Sequence, residues 1–211
     1  MTKVLTFERE YGSGAAAIAE KVAARLGWKL WDQLLTDEIC RRMECDRRHV
    51  ERLEERRDPL HYRLFKAFLR GSFEGSLNEP RMRVADAESI RHLTEELVRA
   101  AAAEGHAVIV GRGSAYYLRD RPDAFHVFIY APFEEKVRRL QLEERSQAEA
   151  VELAETVDRE RSAFIKQHFG IEWPVRYFFH LMINSTIGEE AAVQMIVGGL
   201  AAVSVESIVG T

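Results

Sequence analysis

VLTFEREYGSGAAAIA, residues 4–19, is the stretch that decides the fold of this chain. Its apolar and β-branched start predicts a buried strand over Val4–Phe7, and the amphipathic run Ala15–Leu26, which ends at Gly27, predicts a helix. A Gly-Ser-Gly turn at residues 12–14 lies between them. Strand, glycine turn and helix follow one another in this order in phosphate-binding loops, where backbone N–H groups and the helix N-terminus bind the anion.

The turn lacks the side chains of a complete phosphate-binding P-loop, which reads GxxxxGK(S/T). Arg9 stands at the first glycine of this motif and Gly14 at the second. Ala15 replaces the lysine, and Ala16 replaces the hydroxyl residue that binds Mg²⁺. Gly-x-Gly between a strand and a helix is more often an ordinary turn than a phosphate-binding one. The choice between these two interpretations therefore depends on the rest of the chain.

The composition predicts one domain, or one domain with an inserted subdomain. The 211 residues are 46% hydrophobic, which is enough for a core, and the two cysteines, Cys40 and Cys45, lie in one predicted helix and are expected to be reduced thiols. The net charge of −4 argues against a general nucleic-acid binder but allows a small anion in a local basic pocket. Polar residues interrupt both the N-terminal segment and the apolar stretch 191–210. We therefore expect a cytoplasmic protein without membrane contact. Its apolar C-terminal helix is compatible with a homodimer.

Strands and helices alternate along the chain. Further strands are predicted at 29–32, Ala107–Val110, His126–Tyr130 and Tyr177–Ile183, and further helices at Leu34–Arg48, Asp86–Glu104, Phe133–Glu144, Ala148–Lys166 and 191–210. This alternation predicts a three-layer α/β fold with a mainly parallel sheet. The glycine turn, residues 111–114 and residues 184–186 each follow a strand. They should meet at the carboxyl edge of the sheet, where such sheets bind ligands.

Residues 47–83 differ in character from the rest of the chain. Arginines alternate with acidic residues, a mixed basic and aromatic run follows, and turn-forming residues end the segment. The pattern is typical of an inserted helical subdomain that covers a site, and equally of a solvated helical hairpin with ordinary surface charges.

In order along nearly the whole chain, these segments resemble the cytidylate-kinase-like proteins, a branch of the P-loop nucleoside monophosphate kinases. The resemblance is carried by residues 9–14 with 18–21, 108–113, 126–132, 158–166 and 183–186. It implies a single P-loop kinase domain with a helical insert at about 47–83 and a lid-like helical region at about 145–170. It also implies transfer of the γ-phosphoryl group of ATP to CMP or dCMP.

The resemblance implies a site for the donor nucleotide at the glycine turn. The phosphates of ATP would bind to the backbone of the turn and of the helix start, which comprise Gly12, Ser13, Gly14, Ala15 and Ala16. Magnesium would be expected with ATP, although the sequence offers no clear protein ligand for it.

The resemblance also implies contacts to the acceptor. Arg112 lies between Gly111 and Gly113 at a strand end, a position where a packing role does not account well for an arginine. The resemblance implies that Arg112 would reach the phosphate or base of the acceptor nucleotide. Asp32, after the short second strand, would bind the substrate or cap a helix.

Arginines would supply the catalytic charges, because phosphoryl transfer depends on positioning and on neutralising oxygen charge. Arg159 and Arg161 would be lid arginines that close over the transferring group, while pairing with acidic neighbours on a helix surface explains them equally well. Arg9 would place a guanidinium against phosphate, or would pair with Glu10 or Glu20.

Two departures from the family pattern leave the activity open. The alanine run at residues 15–17 removes a charge-assisted phosphate contact and a magnesium ligand. Glu8 stands where related sequences often have serine, and its carboxylate would repel phosphate unless Arg9 pairs with it. Three hypotheses follow: an active kinase of a cytidine nucleotide, a catalytically silent nucleotide-binding or regulatory protein on the same fold, and a kinase of another small acceptor.

Overall fold

The structure is a computed structural model that describes residues 2–32, 34, 35, 38, 87–142 and 145–209. The predicted insert at 47–83, both cysteines and most of the predicted helix Leu34–Arg48 lie outside the described residues.

A parallel sheet forms the centre of the described part of the chain. Its strands are β1 (Val4–Arg9), β2 (Lys29–Trp31), β3 (Ala107–Val110), β4 (Ala124–Tyr130) and β5 (Leu181–Asn184). They lie in the order β2-β3-β1-β4-β5, and every neighbouring pair is parallel. β1 and β3 are buried along their whole length. Such continuous apolar strands form where helices cover both faces of a sheet.

Helices cover both faces of the sheet. They are α1 (Ala15–Leu26), α2 (Ala87–Glu104), α3 (Ser114–Tyr117), α4 (Phe133–Leu142), α5 (Gln147–Phe169) and α6 (Glu189–Val209). One core, which includes Phe7 and Ile18, joins α1 and α6 to one face. A second core, which includes Phe128 and Phe164, joins α2, α3 and α5 to the other face. The predicted three-layer α/β fold with a parallel sheet is therefore confirmed.

The predicted strand Tyr177–Ile183 is wrong over its first half. A 3-10 turn occupies Arg176–Phe178, Tyr177 is 93% exposed, and β5 begins only at Leu181. The aromatic run suggested a strand, but Phe178 packs on Tyr116 from outside the sheet. The aromatic residues at the start of this segment therefore indicate packing contacts and not strand pairing.

The lid-like region predicted at about 145–170 contains a single helix, α5. Ser146 caps its N-terminus in a capping box with Glu149, and Gly170 ends it in the left-handed conformation. The helix packs against α4 through residues that include Val157 and Leu140. Its role as a lid stays a prediction. None of the described helices combines the length and the apolar character needed to cross a membrane.

Candidate active site

The glycine turn lies at the carboxyl edge of the sheet, between β1 and α1. Gly12 and Gly14 have φ angles of +75° and +74°, which glycine adopts readily. A Cβ on Gly12 would lie 3.1 Å from the Lys136 carbonyl oxygen, so the turn packs closely on α4. No side chain caps the N-terminus of α1, and its first turn contains no acidic residue. The first N–H groups of α1 are therefore suited to an anion.

Asp158 on α5 holds the first half of the turn. Its Oδ1 accepts hydrogen bonds from the backbone N–H of Tyr11 at 2.8 Å and from Arg161 Nη1 at 2.9 Å. Its Oδ2 accepts a bond from Lys136 Nζ at 3.0 Å. Arg161 Nη1 also donates to the carbonyl oxygen of Arg9 at 2.5 Å. Side chains of α4 and α5 thus fix the backbone of the turn where it leaves β1.

A cavity of about 510 Å³ opens beside the second half of the turn. Its described lining comprises Ser13, Gly14, Ile18, Glu135, Arg138, Arg139, Leu142, Ser185, Thr186, Gly188 and Glu189. Arg139 crosses from α4 to the turn and donates through Nη1 to Ser13 O at 2.5 Å and to Ser185 Oγ at 2.8 Å. The glycine turn and the segment after β5 therefore meet at one edge, as the sequence predicted.

Three arginines and two acidic residues form a buried cluster at the ends of β1, β2 and β3. We call them the arginine cluster: Arg9, Arg112, Arg161, Glu8 and Asp32, each at most 8% exposed. The Arg9 guanidinium lies against Gly111, where an added Cβ would be 1.9 Å from Nη1. Arg112 has a φ angle of +58°, a conformation that non-glycine residues rarely adopt.

The arginine cluster has more positive than negative charge. Burial raises the pKa of Glu8 from 4.5 to about 7, although Arg9 and Arg161 oppose the shift. Burial and the nearby Arg161 lower the pKa of Arg9 to about 10, against the pull of Asp32 and Glu8. At neutral pH Arg9 therefore stays charged, whereas the raised pKa of Glu8 favours its neutral form. An additional anion would therefore be stabilised next to this cluster.

Glu8→Gln is expected to alter the pH dependence of stability. Between pH 4.5, its ordinary pKa, and about 7, its pKa here, folded Glu8 holds a proton that the unfolded chain has released. The free energy of unfolding therefore falls as pH rises through this window. Glutamine does not titrate, so the free energy of unfolding of the variant should not show this decrease. Between pH 5 and pH 8 it should therefore rise by roughly 2–3 kcal/mol relative to that of the parent protein.

Urea unfolding at a series of pH values measures the effect of Glu8→Gln. Glu152→Gln is the matched control, because Glu152 lies on the exposed side of α5. Parallel pH profiles for Glu8→Gln and the parent protein would contradict the prediction.

The structure brings most of the predicted site residues together. Residues 12–16 form the turn and the start of α1, and Arg9, Asp32 and residues 111–113 lie at the ends of their strands. Arg161 is buried and reaches the turn, whereas Arg159 lies on another side of α5 and is exposed. Arg161 pairs with Asp158 at i,i+3, as local pairing suggested, but this pair is beneath the turn and not on the surface.

Asp158, Lys136 and Arg139 were not predicted as site residues from the sequence. Asp158 was included in the segment 158–166 that carries the resemblance and among the acidic neighbours of Arg159 and Arg161, whereas its backbone partner Tyr11 is 147 positions away. One available signal was the position of α4, which follows the carboxyl end of β4 and so begins at the ligand-binding edge.

The described residues contain no group of three or more His, Cys, Asp or Glu arranged to hold a metal ion. Ala16, at the position of the usual hydroxyl ligand, offers no side-chain oxygen. In nucleotide-dependent enzymes Mg²⁺ is often held largely by phosphate oxygens and water. The residues present thus fit an ion carried by the nucleotide better than one bound by the protein alone.

A parallel sheet in the order β2-β3-β1-β4-β5, with a glycine-rich loop between β1 and α1, defines a P-loop kinase fold. A model of the cytidylate kinase-like family matches residues 4–187, and the chain belongs to this family. The resemblance recognised in the sequence is therefore confirmed. Among curated proteins there is no match.

Solved structures with the same fold include three with good coverage. An uncharacterized protein from Eubacterium ventriosum ATCC 27560 is 20% identical, with a TM-score of 0.66, over 96% of this chain and 99% of that chain. Shikimate kinase from Bacteroides thetaiotaomicron is 15% identical, with a TM-score of 0.52, over 92% and 96% of the two chains. Shikimate kinase from Acinetobacter baumannii, in complex with shikimate, is 13% identical, with a TM-score of 0.51, over 94% of each chain. At these identities the similarity shows the fold alone.

Proposed function

We propose that this protein is a phosphotransferase that moves the γ-phosphoryl group of ATP to a cytidine or deoxycytidine monophosphate. The family and the fold are those of kinases. The observation that carries the proposal is the uncapped glycine turn at the start of α1, with a cavity at one end and the arginine cluster at the other.

The donor nucleotide would bind at the second half of the turn. There the N–H groups of the turn and of α1 face the phosphates, and the cavity of about 510 Å³ is large enough for the remainder of a nucleotide. The donor site would take ATP together with magnesium, which would supply charge neutralisation on the phosphate oxygens when bound. The residues of the turn bind and orient the phosphates through their backbone, so they do not require the missing lysine and hydroxyl side chains.

The acceptor would bind next to the arginine cluster. Its phosphate would bring the negative charge that the cluster lacks. Arg112, at the end of β3, would contact this phosphate, and Asp32, at the end of β2, would contact another part of the acceptor. The positive φ of Arg112 supports this role, since a strained arginine at a ligand-binding edge is typical of a functional position. Arg9 and Arg161 would then stabilise the charge on the transferring group. The exposed Arg159 would reach this group only if α5 acts as a lid.

The alanine run favours a second candidate, a nucleotide-binding protein of the same fold without fast catalysis. A third candidate is a kinase of another small acceptor. An ADP-release assay with ATP and a panel of nucleoside monophosphates and small hydroxyl compounds separates the three. Turnover with CMP or dCMP supports the proposal. Nucleotide binding without turnover supports the second candidate, and turnover only with another acceptor supports the third.

Arg112→Ala is expected to weaken acceptor binding by about 10–100-fold, because one charge-assisted hydrogen bond contributes about 1.5–3 kcal/mol. ATP binding should change by less than about threefold, since none of the described residues that line the cavity is Arg112. Isothermal titration with CMP and with ATP measures both affinities. Arg119→Ala is the matched control, because Arg119 is half exposed and pairs with Asp120. An equal loss for both ligands would contradict an acceptor role.

A further inference from the structure

Glu8 is a buried acidic side chain to which the proposed reaction gives no role. It is 2% exposed, and its Oε1 atom has no hydrogen-bond partner among the described residues. A buried polar atom without a partner is rare in folded proteins and requires an explanation. We propose that Glu8 is a positioning residue, which serves as the counter-ion of the arginine cluster while the acceptor site is empty and takes up a proton when the acceptor phosphate binds. The inference rests on the proposed function, since it concerns the acceptor phosphate.

The strand register places Glu8 on the face of the sheet that α3 and α5 cover. Glu8 lies beside Phe128 of β4, which belongs to the core on that face. Arg161 of α5 and Tyr116 of α3 both interact electrostatically with Glu8. Within the part of the chain that the structure describes, Nη2 of Arg161 and the hydroxyl of Tyr116 also lack a hydrogen-bond partner. Burial, followed by Glu8, raises the pKa of Tyr116, so this hydroxyl stays neutral and adds no charge.

The charges that act on Glu8 come from several elements around it. Burial raises the pKa of Glu8 to about 7, although Arg9 of β1 and Arg161 of α5 oppose the shift. Arg9 in turn interacts with Asp32, after β2, and with Arg112, after β3. Three guanidinium groups therefore share two carboxyl groups. An ionised Glu8 supplies negative charge that the arginines require while no ligand is bound, but burial opposes that charge.

A bound phosphate would change this balance. The second pKa of a phosphate monoester is about 6, so above pH 7 the acceptor brings two negative charges. These charges would replace Glu8 as counter-ions of the arginines and would repel its carboxylate, so the pKa of Glu8 would rise further. Above pH 7 a proton would therefore pass from the solvent to the carboxylate of Glu8 as the acceptor binds.

The affinity of the parent protein for CMP is expected to fall as the pH rises above 7. Binding that takes up a proton weakens by up to about tenfold per pH unit once the free protein has lost that proton. Between pH 7 and pH 8.5 we expect a loss of about 10-fold in affinity. Isothermal titration at pH 8 in buffers of different ionisation enthalpy should give an uptake of roughly 0.5–1 proton per CMP bound.

Glu8→Gln tests the assignment, because glutamine has the shape of the protonated carboxyl group and does not titrate. Proton uptake at pH 8 should fall below about 0.2 per CMP, and the affinity should change by less than about threefold between pH 7 and pH 8.5. At pH 8.5 the variant should bind CMP about 10-fold more tightly than the parent protein, whereas loss of a purely structural residue would weaken binding. Glu152→Gln is the matched control on the exposed side of α5 and should titrate as the parent protein does.

Each outcome bears on the inference. If the parent protein binds CMP without proton uptake at pH 8, the inference is overturned while the acceptor site stands. If the uptake persists in Glu8→Gln, another group takes the proton and the inference is overturned as well. If neither CMP nor dCMP binds, the proposed function fails and the inference fails with it. The proton count of the parent protein needs no variant, so the test does not depend on the folding of Glu8→Gln.

Discussion

Asp158→Ala is expected to lower the free energy of unfolding by about 3–5 kcal/mol, the usual cost of removing one partner from a buried ion pair. Asp158 is the shared acceptor for Arg161, Lys136 and the backbone N–H of Tyr11. Burial lowers the pKa of Lys136, but Asp158 and Glu10 outweigh it, and the net shift is upward. Alanine would leave two buried cations with less negative charge and one backbone donor without its acceptor.

Chemical unfolding measured by circular dichroism gives this free energy. Asp158→Asn keeps the size of the side chain and an acceptor for Tyr11, so it should cost less, about 1–3 kcal/mol. Asp120→Ala is the matched control, because Asp120 is 91% exposed and pairs only with Arg119 among the described residues. A loss for Asp158→Ala no larger than for Asp120→Ala would show that the network does not stabilise the fold.

Asp158→Ala should also weaken nucleotide binding. The backbone of the turn would lose its bond from Tyr11 to α5, and ordering a looser turn around phosphate costs binding free energy. A titration with ATP at a temperature where the variant is fully folded separates this effect from unfolding.

Local sequence patterns predicted most of the fold. α1 and β3 have the predicted bounds, because a glycine ends α1 and glycines stand on both sides of the buried run that forms β3. The position of Gly111 beside Arg9, at the end of β1, also followed from the sequence, since parallel strands bring their carboxyl ends to one edge. Local hydrophobic period and chain direction were sufficient for these features.

Other features of the site depend on contacts between distant parts of the chain. Arg139 donates to Ser13, which is 126 positions away, and no local pattern encodes that bond. Asp158 and Arg161 stand in a highly charged helix, and their spacing fits a solvated surface pair as well as a buried one. Which side of α5 faces the turn was decided by its packing on α4, through side chains on both helices.

Gly111→Ala is expected to disrupt the arginine cluster. The φ angle of Gly111 is +63°, which costs a non-glycine residue about 1–2 kcal/mol. The new Cβ would lie 1.9 Å from Nη1 and 2.9 Å from Cζ of Arg9, so the buried guanidinium must move. We expect a total loss of about 3 kcal/mol or more in stability and, if Arg9 contacts the transferring phosphate, a loss of about 10²-fold in turnover.

Two further variants, Gly27→Ala and Arg9→Met, separate the backbone cost of Gly111→Ala from the cost of its clash with Arg9. Gly27 has almost the same φ angle, +65°, with no atom within 4 Å of an added Cβ, so Gly27→Ala reports the backbone cost alone, about 1–2 kcal/mol. In an Arg9→Met background the clash is relieved, because methionine has no guanidinium at that position. Gly111→Ala should then cost no more than Gly27→Ala, and the cycle of four proteins yields the coupling between positions 9 and 111. A zero coupling would mean that Arg9 moves aside freely and that the cluster does not fix its position.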